Sequence, residues 1–179
     1  MNTIDKVVFS KYPIDHYGEI WEKLTIINFD KKTVLPKDVL CFLQKGTIRK
    51  SFTECIEDDG ISIDFYFEGD IFTTKYEADN PFNYEPISTG ILGYVEMTVV
   101  KQLFLESKLC STTQRVFLEE RLREKTIREM QLLRSTPKEM YLHLLKSKPH
   151  FIQNVPLKYL ASYIGITPQA LSRIRKHIN

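Results

Sequence analysis

The chain has 179 residues, 42% of them hydrophobic and 12% aromatic, enough to bury the core of one sizeable domain or two modest ones. No run of about 18 apolar residues is present to span a bilayer. Residues 1–12 lack the basic patch, apolar stretch and cleavage site of a secretory leader, so a cytoplasmic protein is expected. The net charge of +2 hides an asymmetry: residues 1–110 carry 12 Lys+Arg against 18 Asp+Glu, and residues 111–179 carry 13 against 5.

Along the chain, the spacing of Ile14, Tyr17, Ile20, Trp21 and Leu24 predicts a helix over 14–24. Stretches rich in β-branched and aromatic residues follow at 29–35, 39–43, 47–52, 61–67 and 87–95. They are separated by the turn-forming segments 36–38, 45–46, 58–60 and 68–70. Short strands at this spacing imply a sandwich or barrel. Cys41, Cys55 and Cys110 lie far apart without a C-x-x-C pair, which points to ordinary buried or partly buried thiols rather than a zinc or disulfide framework.

From about Lys101 the pattern turns helical and meets no glycine until Gly165. The longest stretch is 112–133, with Glu119 and Arg123, and Glu124 and Arg128, at the favourable i,i+4 spacing. Val116, Leu118, Leu122, Ile127, Met130 and Leu133 form two partial apolar stripes, as in a helix that packs on its own domain along one side and on a partner along the other. The break at 134–137 starts a new helix: Thr136 is a good N-cap, Pro137 suits the first helical position and Glu139 completes a capping box.

Glu139 is the last acidic residue, and Lys146, Lys148, Lys158, Arg173, Arg175 and Lys176 follow it unopposed. Within that tail two helices meet at a tight corner. Leu157, Leu160, Ala161 and Ile164 give the first an apolar side, with Ala161 small where another helix must cross. Gly165 can take the positive φ of the corner, and Thr167 with Pro168 starts the second helix. This is helix-turn-helix chemistry. On the second helix Leu171, Ile174 and Ile178 share one face, while Gln169, Ser172, Arg173 and Lys176 share the other. Arg173 can grip a guanine edge with two hydrogen bonds, Gln169 can pair with adenine, and Ser172 permits close approach, which makes these three the base-reading candidates. Lys158, Thr167 and Lys176 are the candidates for phosphate contacts in double-stranded DNA.

The sequence VPLKYLASYIGITPQALSRIRK over 155–176 resembles the signature of the Crp/Fnr, or catabolite-activator, family in its Bacteroidetes-type branch. FLQKGTIR over 42–49, Asp59-Gly60 and FYFEGD over 65–70 are similar to that family's strand-and-turn segments. The resemblance implies an α+β chain. A cyclic-nucleotide-binding-like β-roll (a double-stranded β-helix, or jelly roll) would occupy 1–110, a homodimerisation helix 111–134, and a helix-turn-helix domain 135–179. The function implied is a sequence-specific transcriptional regulator with Arg173 at the family's base-reading arginine.

Three departures from the family matter. Its nucleotide binders hold the cyclic phosphate with an arginine followed by Ser or Thr, but no arginine occurs between Arg49 and Arg115, so classical cyclic AMP is not expected as effector. The loop between Leu35 and Phe42 is short and lacks a glycine turn. The segment 146–155 is too short for a β-hairpin wing, so a reduced or absent wing is expected. An Fe–S or haem cofactor is not expected either: no cysteine precedes Cys41, and His16 alone precedes His143. A metalloenzyme on the roll would need several converging imidazoles or carboxylates. The remaining alternative is a ligand-binding or protein-interaction module that no longer reads DNA, with the acidic patch 57–59 meeting a partner such as RNA polymerase.

Overall fold

The computed structural model describes residues 3–12, 18–53, 60–74, 82–106 and 108–178. A 3-10 turn at Lys6–Phe9 precedes α1 (Gly18–Glu22) and seven strands: β1 (Thr25–Phe29), β2 (Val39–Lys45), β3 (Ile48–Phe52), β4 (Ile61–Tyr66), β5 (Asp70–Thr74), β6 (Phe82–Pro86) and β7 (Gly90–Glu96). Six helices follow: α2 (Met97–Glu106), α3 (Lys108–Arg134), α4 (Pro137–Ser147), α5 (Pro149–Asn154), α6 (Leu157–Ile164) and α7 (Pro168–Lys176). His16, Cys55 and the acidic patch 57–59 lie outside the described residues, as does the side chain of Cys110.

The strands form two antiparallel sheets, β1-β7-β2-β5 and β4-β3-β6, which make a jelly-roll-like body. The near-continuous apolar run of β2 is explained by its central place with both faces covered. Leu40 and Phe42 point outward to Phe9, Ile20, Val100 and Leu103 of the N-terminal segment and α2. Val39, Cys41 and Leu43 point inward to Ile48, Tyr66, Phe72 and Leu92. Burial pushes the Cys41 thiol well above its ordinary pKa, so it stays protonated and inert.

Within the roll, Tyr66 stacks on Phe72 at 4.1 Å with planes 10° apart, and Tyr84 continues the stack 6.1 Å from Phe72. The Gly-Asp turn of 69–70 is fixed from two sides. Gly69 has φ +81 and lies so close to the N-terminal segment that a Cβ would sit 2.6 Å from the Val8 carbonyl oxygen. Asp70 accepts hydrogen bonds from the Phe67 N–H at 2.7 Å and the Lys11 ammonium at 2.5 Å.

The fold departs from expectation in several places. The first strand is Thr25–Phe29, because the stretch after it is turned by Asp30, whose carboxylate accepts from Lys32 N–H and Thr33 Oγ1. Strands β5 and β6 escape the pattern reading. β6 lies at a sheet edge, where Asn83, Glu85 and Pro86 are tolerated despite poor strand propensity. The segment between α4 and α6, for which no hairpin was expected, forms the short helix α5. On α3, Arg123 pairs with Glu120 at 2.6 Å and Glu124 with Arg121 at 3.0 Å, so neither i,i+4 pair expected from spacing forms.

The C-terminal helices share a core with the roll. Phe65 of β4 and Ile87 belong to one apolar cluster with Met140, Tyr141 and Leu144 of α4, Phe151 of α5, and Leu160, Tyr163 and Ile164 of α6. The Phe151 ring lies 5.6 Å from Phe65, 5.0 Å from Phe67 and 5.3 Å from Tyr163. Truncating a buried aromatic at such a junction costs about 3–5 kcal/mol. Phe151→Ala is expected to lower unfolding free energy by that amount in urea titrations while the wild-type chain unfolds in one transition. A wild type that melts its roll and its C-terminal helices separately would contradict the shared core.

Candidate nucleic-acid interface

The helix-turn-helix is built as its residues dictate. α6 ends at Gly165 (φ +85), whose N–H bonds back to the Ala161 carbonyl at 3.0 Å, as does Ile166 N–H. Thr167 then begins α7, its hydroxyl oxygen accepting from Ala170 N–H at 3.2 Å, with Pro168 in the first helical position. Upstream, Thr136 and Glu139 form the reciprocal capping box of α4. Leu171 is fully buried against α6, and Ala161 is buried where the two helices approach.

With Leu171 inward, the opposite side of α7 faces solvent. Gln169, Arg173 and Lys176 are exposed, and Ser172 is half-buried beside them. Three cations, Arg173, Arg175 and Lys176, occupy the last turn of α7, and no acidic side chain occurs after Glu139 in the sequence. Thr167 is exposed at the N-cap, and its cap role leaves the O–H free to donate. Lys158 stands on α6, not α7, its ammonium 4.7 Å from the centre of the Tyr159 ring. The outward face of α7 can thus present bidentate donors and acceptors to base edges, with cations at its rim.

The other side of the helix-turn-helix is held by residues that sequence reasoning did not single out for this role. Arg49 of β3 is 1% exposed. Its Nε donates to Ser62 Oγ at 2.8 Å, its Nη2 to the Gly60 carbonyl at 2.6 Å, and its Nη1 to Glu85. Its guanidinium carbon lies 4.1 Å from the centre of the Tyr159 ring of α6. Next to it, Ser62 N–H donates to Ser162 Oγ at 2.9 Å. Arg128 of α3 lies 3.5 Å from the Tyr163 ring centre and donates to the Tyr163 carbonyl at 3.2 Å. Burial pushes the Tyr163 hydroxyl up to about 12. The available signal was the composition of α6: Tyr159 and Tyr163 flank its apolar stripe, leaving a helix that is hydrophobic around most of its circumference and so must be buried on more than one side.

At the mouth of the roll the Asp64 carboxylate is held by Lys125 at 2.5 Å and lies 4.0 Å from Arg121, both on α3. These cations reach the roll from α3, outside the strands. Among the described residues there is no group of three or more His, Cys, Asp or Glu able to hold a metal ion, and no helix long and apolar enough to cross a membrane.

A roll followed by a long helix and a basic helix-turn-helix defines the class of the molecule. No protein-family model and no curated protein matches the sequence. Solved structures do match. FixK2 from Bradyrhizobium japonicum is 16% identical, with a TM-score of 0.71 over 87% of this chain and 84% of its own. A CooA mutant from Carboxydothermus hydrogenoformans is 14% identical, with a TM-score of 0.68 over 98% of this chain and 84% of its own. A protein from Eubacterium rectale described as a transcriptional regulator of the crp/fnr family is 14% identical, with a TM-score of 0.66 over 95% of this chain and 85% of its own. The chain therefore has the fold of the Crp/Fnr regulators.

The Thr167 cap is a local element whose removal should be felt without disturbing the roll. Thr167→Ala is expected to cost about 1 kcal/mol of stability in thermal or urea unfolding. An unchanged stability would show that Pro168 and the packing of Leu171 suffice to start α7.

Proposed function

We propose that the chain is a sequence-specific DNA-binding transcriptional regulator that acts as a homodimer, with α7 as its recognition helix. The observation that carries this reading is the outward face of α7, on which Gln169, Ser172, Arg173 and Lys176 stand together over a buried Leu171. In this reading Arg173 and Gln169 read base edges, Ser172 allows the backbone to approach, and Lys158, Thr167 and Lys176 contact phosphates. The fold shared with FixK2 and CooA supports it, and so does the tail signature over 155–176, which also motivates the Bacteroidetes-type branch.

Dimerisation is assigned to α3. Leu118, Leu122, Met130 and Leu133 recur on one side of that helix with Thr126 between them, and all are exposed. Phe117, Arg121 and Arg128 on the other side engage Tyr12, Tyr66 and Tyr163 of the same chain. A solvated apolar seam of this length favours a second helix of the same kind. Two-fold symmetry would set the two α7 helices about 34–36 Å apart and make the operator a near-palindrome. Leu122→Lys is expected to convert the dimer to a monomer in sedimentation experiments, and a variant that remains dimeric would move the interface elsewhere.

The roll is read as degenerate for cyclic nucleotides. The stack of Tyr66, Phe72 and Tyr84 lies in its interior, and the nearby cations Arg121 and Lys125 are paired with Glu124 and Asp64. A buried cyclic phosphate would have to displace those partners at considerable cost.

Selection of bound DNA from a random pool at fixed salt tests the reading directly. Arg173→Ala is expected to lose about 1–3 kcal/mol of discrimination at one base position in each half-site. Lys176→Gln is expected to weaken all sequences alike and to reduce the slope of log K against log salt by about one. An Arg173→Ala protein with unchanged affinity and preference would remove the base-reading assignment.

A further inference from the structure

A cleft of about 200 Å³ lies where the β4 edge of the roll, α3 and the α4–α5 corner meet. Phe65, Phe67, Phe151 and Tyr163 line its apolar wall. Charged side chains converge on it from three sides: Lys11, Asp64 and Asp70 from the roll, Arg121, Glu124, Lys125 and Arg128 from α3, and Lys148 with His150 from the α4–α5 corner.

The charges do not cancel. Lys11 and Asp70 neutralise one another at 2.5 Å. Arg121 and Lys125 are matched by Glu124 and Asp64 at 3.0 and 2.5 Å. Arg128 and Lys148 remain. Among the described residues neither has a carboxylate within ion-pair distance, and each lies against an aromatic face instead, Arg128 on Tyr163 and Lys148 on Phe151. Arg128 spends one hydrogen bond on the Tyr163 carbonyl, and a guanidinium has five donors to place. Partial desolvation lowers the His150 pKa and so favours the uncharged ring, which can donate one hydrogen bond. Two partly buried cations facing a recess with an apolar wall form an incomplete electrostatic arrangement.

We propose that this cleft is a binding site for a small tetrahedral dianion, inorganic phosphate or the phosphate group of a small phosphomonoester, held between Arg128 of α3 and Lys148 of the α4–α5 corner. Such a ligand supplies the two negative charges that the cleft lacks. Because its partners belong to α3 and to the helix-turn-helix region, it ties the two together. The site is separate from the roll interior, which the Tyr66 stack occupies, and from the outward face of α7. It does not depend on the DNA-binding reading.

Calorimetric titration of the full chain with inorganic phosphate, in buffer matched for ionic strength with chloride, tests the proposal. Saturable binding at one site per chain is expected, weakened tenfold or more by Arg128→Gln and by Lys148→Gln. Lys31→Gln, an exposed position in the loop after β1, should bind as wild type does. Circular dichroism checks each fold, and Arg128→Lys, which keeps the charge, should retain part of the affinity. Amide exchange in α5 and α6 should slow when phosphate is added. Glycerol phosphate in a parallel titration separates the sources: tighter binding than inorganic phosphate identifies an organic phosphomonoester, and weaker binding identifies the free ion, either being a tetrahedral dianion. Non-saturating heats, wild-type affinity in both Arg128→Gln and Lys148→Gln, or an equal loss in Lys31→Gln would overturn the proposal.

Discussion

The architecture turns on a guanidinium that has been taken out of water. An arginine as buried as Arg49 is tolerable only if its charge and its donors are all met, and the partners that meet them come from separate parts of the chain. Ser62 and Gly60 belong to β4 and the residue before it, Glu85 to β6, and the Tyr159 ring to the first helix of the helix-turn-helix. Glu85 is still 42% exposed on its side chain, so water shares in stabilising the carboxylate while the cation has none. The need to satisfy one side chain thereby registers three strands of a sheet against each other and fixes where α6 must lie. Ser62, which takes one bond from Arg49 through its hydroxyl, gives its backbone N–H to Ser162, so the same residue serves both sides of the joint.

Around that polar centre the apolar contacts follow. Phe65 faces outward from β4 because its neighbour Tyr66 faces the roll interior, and the period of two along a strand permits no other arrangement. An outward phenylalanine on a sheet needs a cover, and Phe151 with Tyr163 provide it. The short helix α5 carries Phe151 to that contact, so the segment that joins α4 to α6 is part of the joint between the roll and the C-terminal helices.

Legibility in the sequence follows the range of the interactions. The two caps at Thr136 and Thr167, the glycine corner at Gly165, and the inward and outward faces of α7 are all set by residues within four positions of one another, and all were readable. The strand β2 was readable because it is buried on both faces and therefore apolar throughout. β6 was not, because an edge position relaxes the composition that marks a strand. The role of Arg49 is not legible in the segment 42–49 that it ends, since its partners lie 11 to 36 positions away and Tyr159 is farther still. Arg128 misled for the same reason. Local spacing offered it Glu124, but a tyrosine 35 positions on holds it more closely than that pair would have done.

A joint this extensive would be expected to cover the outward face of α7, yet here it does the reverse. The roll is met by α6, through Tyr159, Ser162 and Tyr163, while α7 is attached to the joint only through Leu171 and its half-buried neighbours on the far side. Docking α6 therefore leaves the polar side of α7 facing solvent, and it removes the freedom of α7 to turn relative to the roll. If α3 pairs with its symmetry mate, the separation of two recognition helices is then set by α3 and this joint, with no hinge left to absorb a mismatch. On the proposed reading, selectivity for half-site spacing is a property of the joint around Arg49 as much as of the side chains that touch bases. On the same reading that surface is pre-organised, because little conformational freedom would remain to be lost when both helices engage.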